Sequence, residues 1–466
     1  MSLPQRLRSL LQLFREAVRG EERDYTTGPL ERAVFLLAIP MMLEMVLESV
    51  FAVVDVFFVA KLGPAAVATV GVTETVLTLV YAVAIGLSTA TTALVARRIG
   101  EGDPARASRT AAQALMLGLL LSIAIGVAGV LGAESILTWV GASPEVMTHA
   151  GYTAVMLGGS GSVFLLFLAN AIFRGAGDAA IAMRVLTVAN LINIVLDPCL
   201  IFGWGPFPEM GVTGAAVATT IGRSLGVGYQ VWLLARGNGR IKIGWRDLLP
   251  DVSELKGLLR LAGGGTLQYL VATASWVGMV RILAVFGDAA LAGYTIAVRI
   301  VIFSILPSWG LSNAAATLVG QNLGAGQPER AETSAWVTAR YNLAFLGLLA
   351  AVFLLFPAPL LGIFTSDPEV IRIGASCLRW IASCYGIYAF GLVMIQALNG
   401  AGDTNTPTLI NFVAYWVWQI PFAWYAAQVL GWGPNGVFIA IASAETLLAV
   451  LAIWVFRRGA WKLRQV

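Results

Sequence analysis

The sequence predicts an all-α integral membrane protein in which twelve transmembrane helices form two parallel six-helix repeats. Three observations support this fold class. Of the 466 residues, 58% are hydrophobic and only 12% are charged, whereas a soluble domain carries roughly 25% charged residues. Many apolar runs reach the length of about 20 residues that crosses a bilayer. Finally, the second half of the chain repeats the pattern of the first.

Residues 1–32 form a basic N-terminal segment before the first apolar run. Apolar side chains recur there at helical spacing, with arginines between them: Leu3, Leu7, Leu10, Leu11, Phe14 and Val18, with Arg6, Arg8, Arg15 and Arg19. This pattern is typical of an amphipathic helix that lies on an anionic leaflet. A disordered basic tail is the alternative.

The apolar runs between loop signals predict the twelve spans. We expect helices at 33–60, 67–95, 109–131, 147–173, 181–203, 211–235, 257–285, 290–319, 333–356, 370–398, 405–430 and 434–457. The spans divide the chain into an N-terminal lobe (33–235), a basic linker (236–256), a C-terminal lobe (257–457) and a short tail (458–466).

The distribution of Lys and Arg predicts the orientation. Basic residues cluster in the N-terminal segment, the linker and the tail, while the opposite side offers only Lys61 and Arg372. Because cytoplasmic loops carry the excess of Lys and Arg, both termini are expected in the cytoplasm.

An internal repeat relates the two lobes. Leu37 aligns with Leu261 at an offset of 224 residues, and GEGDPARA (100–107) then falls on GAGQPERA (324–331). With one more residue of offset, RGAGD (174–178) falls on NGAGD (399–403). Six helices per copy place both copies in the membrane in the same direction. Two such bundles, related by an axis along the membrane normal, suit alternating access.

Several motifs resemble the multidrug and toxic compound extrusion (MATE) family. They are VGQNLGAGQPERA (319–331), the paired RGAGD and NGAGD, NIVLDPCLIFG (193–203) and GVTGAAVAT (211–219). The resemblance covers nearly the whole chain. It implies a V-shaped pair of lobes and antiport of an organic compound against protons or sodium ions. We expect a monomer in the prokaryotic plasma membrane without an organic cofactor. The net charge of +4 reflects loops that face anionic lipid rather than a nucleic-acid partner.

Three carboxylates lie within the very apolar first span: Glu44, Glu48 and Asp55. At about 100° per residue, Glu48 lies about 40° and Asp55 about 20° around the helix from Glu44. Since a charge at the bilayer centre costs roughly 2.5–3.5 kcal/mol, one shared stripe keeps all three away from lipid. The stripe therefore predicts a polar cavity or a proton relay.

The fourth and fifth spans repeat this arrangement. Asn190, Asn193 and Asp197 fall within about 60° on the fifth span, and Asn170 and Arg174 lie one turn apart on the fourth. Carboxylate and amide oxygens suit Na⁺, a hard cation. A proton carrier needs only a desolvated carboxyl near another negative charge.

The resemblance implies which residues couple transport to the ion. One branch of the family uses residues that match Asp55, Asp197, Asn193 and Asn170, and these would hold H⁺ or Na⁺. Another branch uses acids in the C-terminal lobe, where the seventh span of this chain offers only Gln268. We therefore expect coupling in the N-terminal lobe. Further residues are expected as relay or substrate contacts: Glu48, Glu44, Glu74, Asn190, Gln268 and Tyr269. A purely structural hydrogen bond is the alternative for each acid.

The substrate class follows from the charged and aromatic residues. Acids in one lobe and intramembrane aromatics in the other suit a lipophilic cation through cation–π attraction. These aromatics are Tyr269, Trp276, Trp309, Tyr385, Tyr388, Trp416 and Trp418. The sequence leaves open the roles of Arg223, Arg281, Arg299 and Glu445.

Two other functions fit parts of the sequence. A flippase for a lipid-linked sugar is the alternative transporter, although an anionic pyrophosphate would favour a cavity rich in Lys and Arg. GAGD also matches the GxGD pattern of intramembrane aspartyl proteases. Both copies fall at the end of a span, where glycine ends a helix, so we expect no enzyme.

Overall fold

The computed structural model describes residues 3–20, 24–237 and 239–464, and within these ranges it contains helices and no strand. The α-helices are α1 (Leu3–Arg19), α2 (Leu30–Ala60), α3 (Pro64–Gly100), α4 (Pro104–Val140), α5 (Pro144–Met147), α6 (Ala150–Gly158), α7 (Ser160–Ala176), α8 (Ala179–Phe202), α9 (Val212–Arg236), α10 (Val252–Leu283), α11 (Asp288–Gly324), α12 (Pro328–Leu355), α13 (Pro357–Gly362), α14 (Pro368–Gly400), α15 (Asn405–Asn411), α16 (Ile420–Trp424) and α17 (Pro434–Arg457). Short 3₁₀ turns cover 245–248, 284–286 and 460–463, and π-helical turns cover 412–419 and 425–429.

Ten helical stretches of the described chain are long and apolar enough to cross a membrane. The other two predicted spans correspond to α9 and to the continuous helical run 405–429. The first, α9, is less apolar because it contains polar and charged residues such as Thr219, Arg223 and Gln230. The second alternates between α- and π-helical turns. The predicted all-α fold, with six spans in each repeat, is confirmed.

Several helices extend beyond the predicted spans. α3 covers 64–100 instead of 67–95, and α4 covers 104–140 instead of 109–131. A proline begins each helix and polar residues continue it past the apolar run. The edge of the hydrophobic run therefore underestimates the helix, because the ends project out of the hydrocarbon region.

Two predicted boundaries differ for local reasons. α10 begins at Val252, inside the predicted linker, because the Asp251 carboxylate accepts hydrogen bonds from the backbone N–H groups of Ser253 and Glu254. The predicted span 147–173 is divided at Gly159 between α6 and α7. A Cβ at Gly159 would lie 2.7 Å from Thr220 Oγ1, so the absence of a side chain here permits close packing against α9.

The lobes contact each other through α2 and α3 of the first repeat and α10 and α11 of the second. At Gly86 an added Cβ would overlap Thr266, and at Gly310 it would overlap the Met41 carbonyl. Small residues allow helix backbones to approach this closely. The Gly86 contact joins the second half of α3 to the first half of α10. The Gly310 contact joins the second half of α11 to the first half of α2. The lobes are therefore closed together on one side of the membrane region.

The paired GAGD motifs end α7 and α14. Gly177 and Gly402 adopt φ values of +96° and +83°, in the left-handed region where glycine is favoured. The aspartates that follow lie just beyond helix ends, as the turn interpretation requires. This position does not resemble a catalytic dyad deep in the membrane.

Candidate functional site: an inter-lobe cavity and a buried carboxyl cluster

A cavity of about 340 Å³ lies between the two lobes, beside the close contact at Gly86. Both repeats contribute to its walls. The polar and aromatic lining residues are Glu44, Glu48, Tyr81, Ser88, Thr89, Thr92, Phe167, Asn170, Arg174, Tyr269, Trp309, Asn313, Gln396 and Asn399. The charged groups all come from the N-terminal lobe, whereas both lobes contribute aromatic and amide groups.

Glu44 forms a buried ion pair at this cavity. Its side chain is only 2% exposed. Oε1 accepts hydrogen bonds from Arg174 Nη1 at 2.7 Å and from Asn170 Nδ2 at 3.0 Å. Gln230 Nε2 donates in turn to Asn170 Oδ1 at 2.6 Å. The charge of Glu44 is therefore compensated within its own lobe.

Glu48 lies one turn further along α2 and is less enclosed. Its carboxylate is 3.5 Å from Arg223 Nη2, and the side chain is 34% exposed. Arg223 also donates to the Tyr81 hydroxyl at 3.2 Å and lies 5.3 Å from the centre of the Phe51 ring. Glu48 is thus the acid that remains open to the cavity, with a longer and weaker ion pair.

Asp55 does not line the cavity with the two glutamates. It lies two turns beyond Glu48, where it interacts electrostatically with Arg223, Glu74 and Asp197. Its Oδ1 is buried and has no hydrogen-bond partner among the described residues. The predicted stripe therefore divides into a cavity-facing part and a part that faces α8.

Asp197 and Asn193 on α8 complete this second group. Asp197 is fully buried, and its Oδ1 accepts a hydrogen bond from Asn193 Nδ2 at 3.1 Å. Asn193 Nδ2 also lies 3.2 Å from Thr219 Oγ1. Asp197 Oδ2 and Asn193 Oδ1 are buried without a hydrogen-bond partner in the described chain. Asp55, Asn193 and Asp197 therefore present three unpaired acceptor oxygens, and we call them the carboxyl cluster.

The remaining residues expected in the N-terminal lobe lie elsewhere. The hydrogen bonds of Asn170 are to Glu44 and Gln230 rather than to the carboxyl cluster. Asn190 Nδ2 donates to the Leu47 carbonyl at 2.9 Å. Glu74 is exposed on α3 and interacts electrostatically with Arg299 of the other lobe. The structure thus places Asn170 with the ion pair and Glu74 between the lobes.

Some of the expected aromatic residues reach the cavity and others do not. Tyr269 and Trp309 line it, and Gln268 and Tyr388 line an adjoining recess of about 130 Å³. Trp416 and Trp418 line neither space and are about two-fifths exposed. The aromatic wall is therefore smaller than the sequence pattern indicated.

Several polar residues of the site were missed from the sequence, and three of them show why. Tyr81 contacts Arg223, Gln230 supports Asn170, and Gln396 lines the cavity. Gln230 and Gln396 are isolated amides within apolar spans, and this signal could have identified them. Tyr81 gave no such signal, because tyrosine is common near membrane interfaces.

A cleft between two repeat-related bundles, with its charged groups confined to the wall of one lobe, is typical of a membrane transporter. The family model described as MatE matches residues 40–199 and 267–425. The chain therefore belongs to the MATE family of transporters, as the sequence motifs indicated.

Named relatives and solved structures agree with this assignment. The chain is 30% identical, over 97% of each chain, to a probable multidrug resistance protein NorM of Thermotoga maritima. It is 25% identical to an FAD transporter of Shewanella oneidensis over 93% of this chain and 95% of that one. A MATE multidrug transporter in an outward-facing conformation superposes with a TM-score of 0.88 at 26% identity, covering 96% of this chain and 98% of that one. A Pyrococcus furiosus transporter described as having a binding pocket of reverse polarity gives 0.87 at 26% identity, covering 97% and 99%.

Proposed function

We propose that this protein is a secondary antiporter that exports amphipathic organic cations in exchange for protons or sodium ions. The observation that carries the proposal is the carboxyl cluster beside the inter-lobe cavity. A buried acceptor oxygen without a partner costs about 1–3 kcal/mol. Three such oxygens on two neighbouring helices favour the uptake of a cation.

Both candidate ions suit the chemistry of this cluster. A proton would make one carboxyl a donor and would relieve the repulsion between Asp55 and Asp197, which interact electrostatically. A sodium ion would accept carboxylate and amide oxygens as ligands, and the partnerless oxygens of Asn193 and Asp197 are of this kind.

Arg223 offers a link between the ion and the substrate. Its guanidinium contacts Glu48 at the cavity and interacts electrostatically with Asp55 in the carboxyl cluster. When Asp55 is neutralised by an incoming ion, Arg223 can pair more fully with Glu48. The cavity then loses negative charge, and its affinity for a bound organic cation decreases. Ion entry would thereby favour substrate release.

The closed contacts between the lobes support alternating access. With the termini in the cytoplasm of a prokaryote, the contacts at Gly86 and Gly310 close the cytoplasmic side and leave the cavity facing outward. Rocking of the two lobes would then expose the cavity to either side in turn. In the outward-facing state the transporter would release its substrate and receive the coupling ion.

The cavity suits a flat, lipophilic cation. Glu48 is the acid that remains partly open to it, while Tyr269 and Trp309 provide aromatic faces in the opposite wall. Attraction between a cation and an aromatic face reaches about 2 kcal/mol when both are desolvated.

An anionic substrate is the second candidate. Arg174 lines the cavity, one relative is named an FAD transporter, and one structural neighbour is described by the reverse polarity of its pocket. A lipid-linked sugar would also belong to this class. Against it, Arg174 is already paired with Glu44 at 2.7 Å, so its charge is not free for an anion.

Transport into sealed vesicles separates the two candidates. Purified protein is reconstituted, and uptake of ethidium is compared with uptake of flavin adenine dinucleotide. We expect accumulation of ethidium and background levels of the dinucleotide. Accumulation of the dinucleotide without ethidium would instead establish the anionic substrate.

A further inference from the structure

The internal repeat relates the Glu44–Arg174 ion pair to two neutral residues. At the offset of 224 residues Glu44 corresponds to Gln268, and at the offset of 225 Arg174 corresponds to Asn399. Glu44 and Arg174, in the N-terminal lobe, line the 340 Å³ cavity. Their counterparts in the C-terminal lobe, Gln268 and Asn399, line the adjoining 130 Å³ recess. One lobe thus contains an internal cation at a position where the other lobe has none.

This recess opens off the main cavity. Tyr269, Trp309, Gln396 and Asn399 line both spaces, so the two are continuous. The recess alone is lined in addition by Gln268, Tyr388, Asn411 and Tyr415. A molecule in the main cavity could therefore place one end among these polar side chains.

Two buried asparagine side chains at the recess use their amide nitrogens as donors, but their amide oxygens receive no hydrogen bond from the described residues. Asn399 Nδ2 donates to Gln396 Oε1, and Gln396 Nε2 donates to Asn313 Oδ1, each at 2.9 Å. Asn411 Nδ2 points to the Gln268 carbonyl at 3.5 Å. The Oδ1 atoms of Asn399 and Asn411 have no partner among the described residues, and these side chains are 4% and 7% exposed. The recess is therefore bordered by two buried acceptor oxygens that lack a donor, and a ligand that carries N–H donors would satisfy them once these side chains rotate towards it.

Glu445 adds a carboxyl behind this surface. Both of its oxygens lie 3.3 Å from the Tyr415 hydroxyl, which lines the recess. In the described chain no Lys or Arg forms an ion pair with Glu445, unlike Glu44 and Glu48. A carboxyl without a basic partner is one whose ionised form an incoming cation can stabilise.

We propose that this recess in the C-terminal lobe binds the protonated amine of the exported compound, with Asn399 and Asn411 accepting its N–H hydrogen bonds. Glu445, which accepts a hydrogen bond from Tyr415 behind the recess, ionises when the ammonium group is bound, so that its negative charge is present in the complex. The ammonium group thereby takes the role that Arg174 plays in the other lobe. The proposal rests on export of organic cations and identifies where the cationic head lies.

The size of the recess agrees with such a ligand. A volume of about 130 Å³ holds about four water molecules at roughly 30 Å³ each, or an ammonium group with a few methylenes. The aromatic body of the compound would stay in the larger cavity against Tyr269 and Trp309. Hydrogen bonds that involve a charged group are stronger than those between neutral groups. An ammonium group can therefore compete with water for the acceptors of the recess.

Binding of two cations to purified protein tests the proposal. One probe is a protonated arylalkylamine, which carries N–H donors, and the other is tetraphenylphosphonium, which carries none. We expect Asn399→Leu and Asn411→Leu each to weaken amine binding about tenfold and to change phosphonium binding less than about twofold. Glu445→Gln should weaken binding of both probes, because both carry charge. Asn435→Leu, at the exposed start of α17, is the matched control and should change neither.

Each other outcome has a definite meaning. Unchanged amine binding in both asparagine variants would overturn the recess while leaving the proposed export of cations intact. Equal loss of both probes in variants that keep the wild-type melting temperature would overturn the hydrogen-bonding role. Failure of the wild type to bind either cation would overturn the proposed substrate class and the recess with it.

Discussion

Glu44 and Arg174 form a buried ion pair at 2.7 Å, although 130 residues separate them in the chain. Their repeat counterparts, Gln268 and Asn399, are neutral. The two lobes therefore share a fold but differ in charge. The N-terminal lobe pairs its cavity acids with its own arginines and contains a separate carboxyl cluster, while the C-terminal lobe has buried amide oxygens without a partner among the described residues.

Removing one partner of the Glu44–Arg174 pair should destabilise the protein strongly. In Glu44→Gln the Arg174 guanidinium keeps its charge in a buried site without its carboxylate, and such changes cost about 3–5 kcal/mol. We expect a marked fall in the thermal unfolding midpoint in detergent. The double variant Glu44→Gln/Arg174→Gln should recover part of the loss, because it leaves no unpaired charge.

Glu31→Gln, in the first turn of α2 at an exposed position, is the control for this experiment. It should unfold like the wild type. If Glu44→Gln did so as well, the ion pair would not be the stabilising contact inferred here.

Neutralising the carboxyl cluster should uncouple transport. Asp55→Asn and Asp197→Asn keep the shape of each side chain but remove the group that takes up a proton or sodium ion. We expect both variants to be expressed and to bind organic cations, with efflux against a gradient lost. Efflux of a fluorescent cation from vesicles measures this loss.

Glu134→Gln is the matched control for the aspartate variants, since Glu134 lies exposed on α4. It should retain wild-type efflux. Normal counter-gradient efflux in well-folded Asp55→Asn and Asp197→Asn proteins would refute the assigned coupling residues.

A larger side chain at Gly310 should separate the lobes. A Cβ there would overlap the Met41 carbonyl of the facing helix, so Gly310→Val cannot keep the closed contact. We expect the population to shift towards a state that is open on this side. Distances between spin labels placed on α2 and α11 would increase on that side.

Gly347→Val provides a control of the same chemical change. Gly347 lies in the interior of α12 with no atom within 4 Å of an added Cβ. It should leave the distance distribution unchanged. An unchanged distribution in Gly310→Val too would contradict the role of this contact in closure.

The C-terminal tail should strengthen the same closure. The Arg464 carbonyl accepts a hydrogen bond from Arg97 of the N-terminal lobe at 2.7 Å, and the Arg464 side chain donates to Asp403 of the C-terminal lobe at 3.1 Å. Asp403→Ala removes one of these contacts. We expect a smaller shift than in Gly310→Val, measured with the same labels, and no shift would indicate that the tail does not hold the lobes together.

Much of the fold could be predicted from the sequence, because a helix that crosses the membrane needs about 20 mostly apolar residues. Apolar runs of sufficient length identify the spans, and the repeat fixes their direction. This rule fails where a span is not uniformly apolar or helical. One span is divided at Gly159, where the absence of a side chain allows close contact with α9. π-Helical turns interrupt the run 405–429. Such details depend on neighbours that are remote in sequence.

The site was harder to predict, because the partners of each acid lie on other helices. Helical spacing places Glu44, Glu48 and Asp55 on one face of α2. It cannot reveal that Arg174 pairs closely with Glu44 and Arg223 only loosely with Glu48. Nor can it reveal that Asp55 interacts with Asp197. Angular spacing predicts which side chains share a face, but charge compensation is a property of the packed bundle.

The most direct test of coupled export follows a fluorescent cation such as ethidium in sealed vesicles containing purified protein. A pH gradient and a sodium gradient are imposed separately, on the wild type and on Asp55→Asn. We predict that one of the two gradients drives ethidium movement in the wild type and that Asp55→Asn abolishes it. Equal movement in both proteins, or no response of the wild type to either gradient, would contradict ion-coupled export through Asp55.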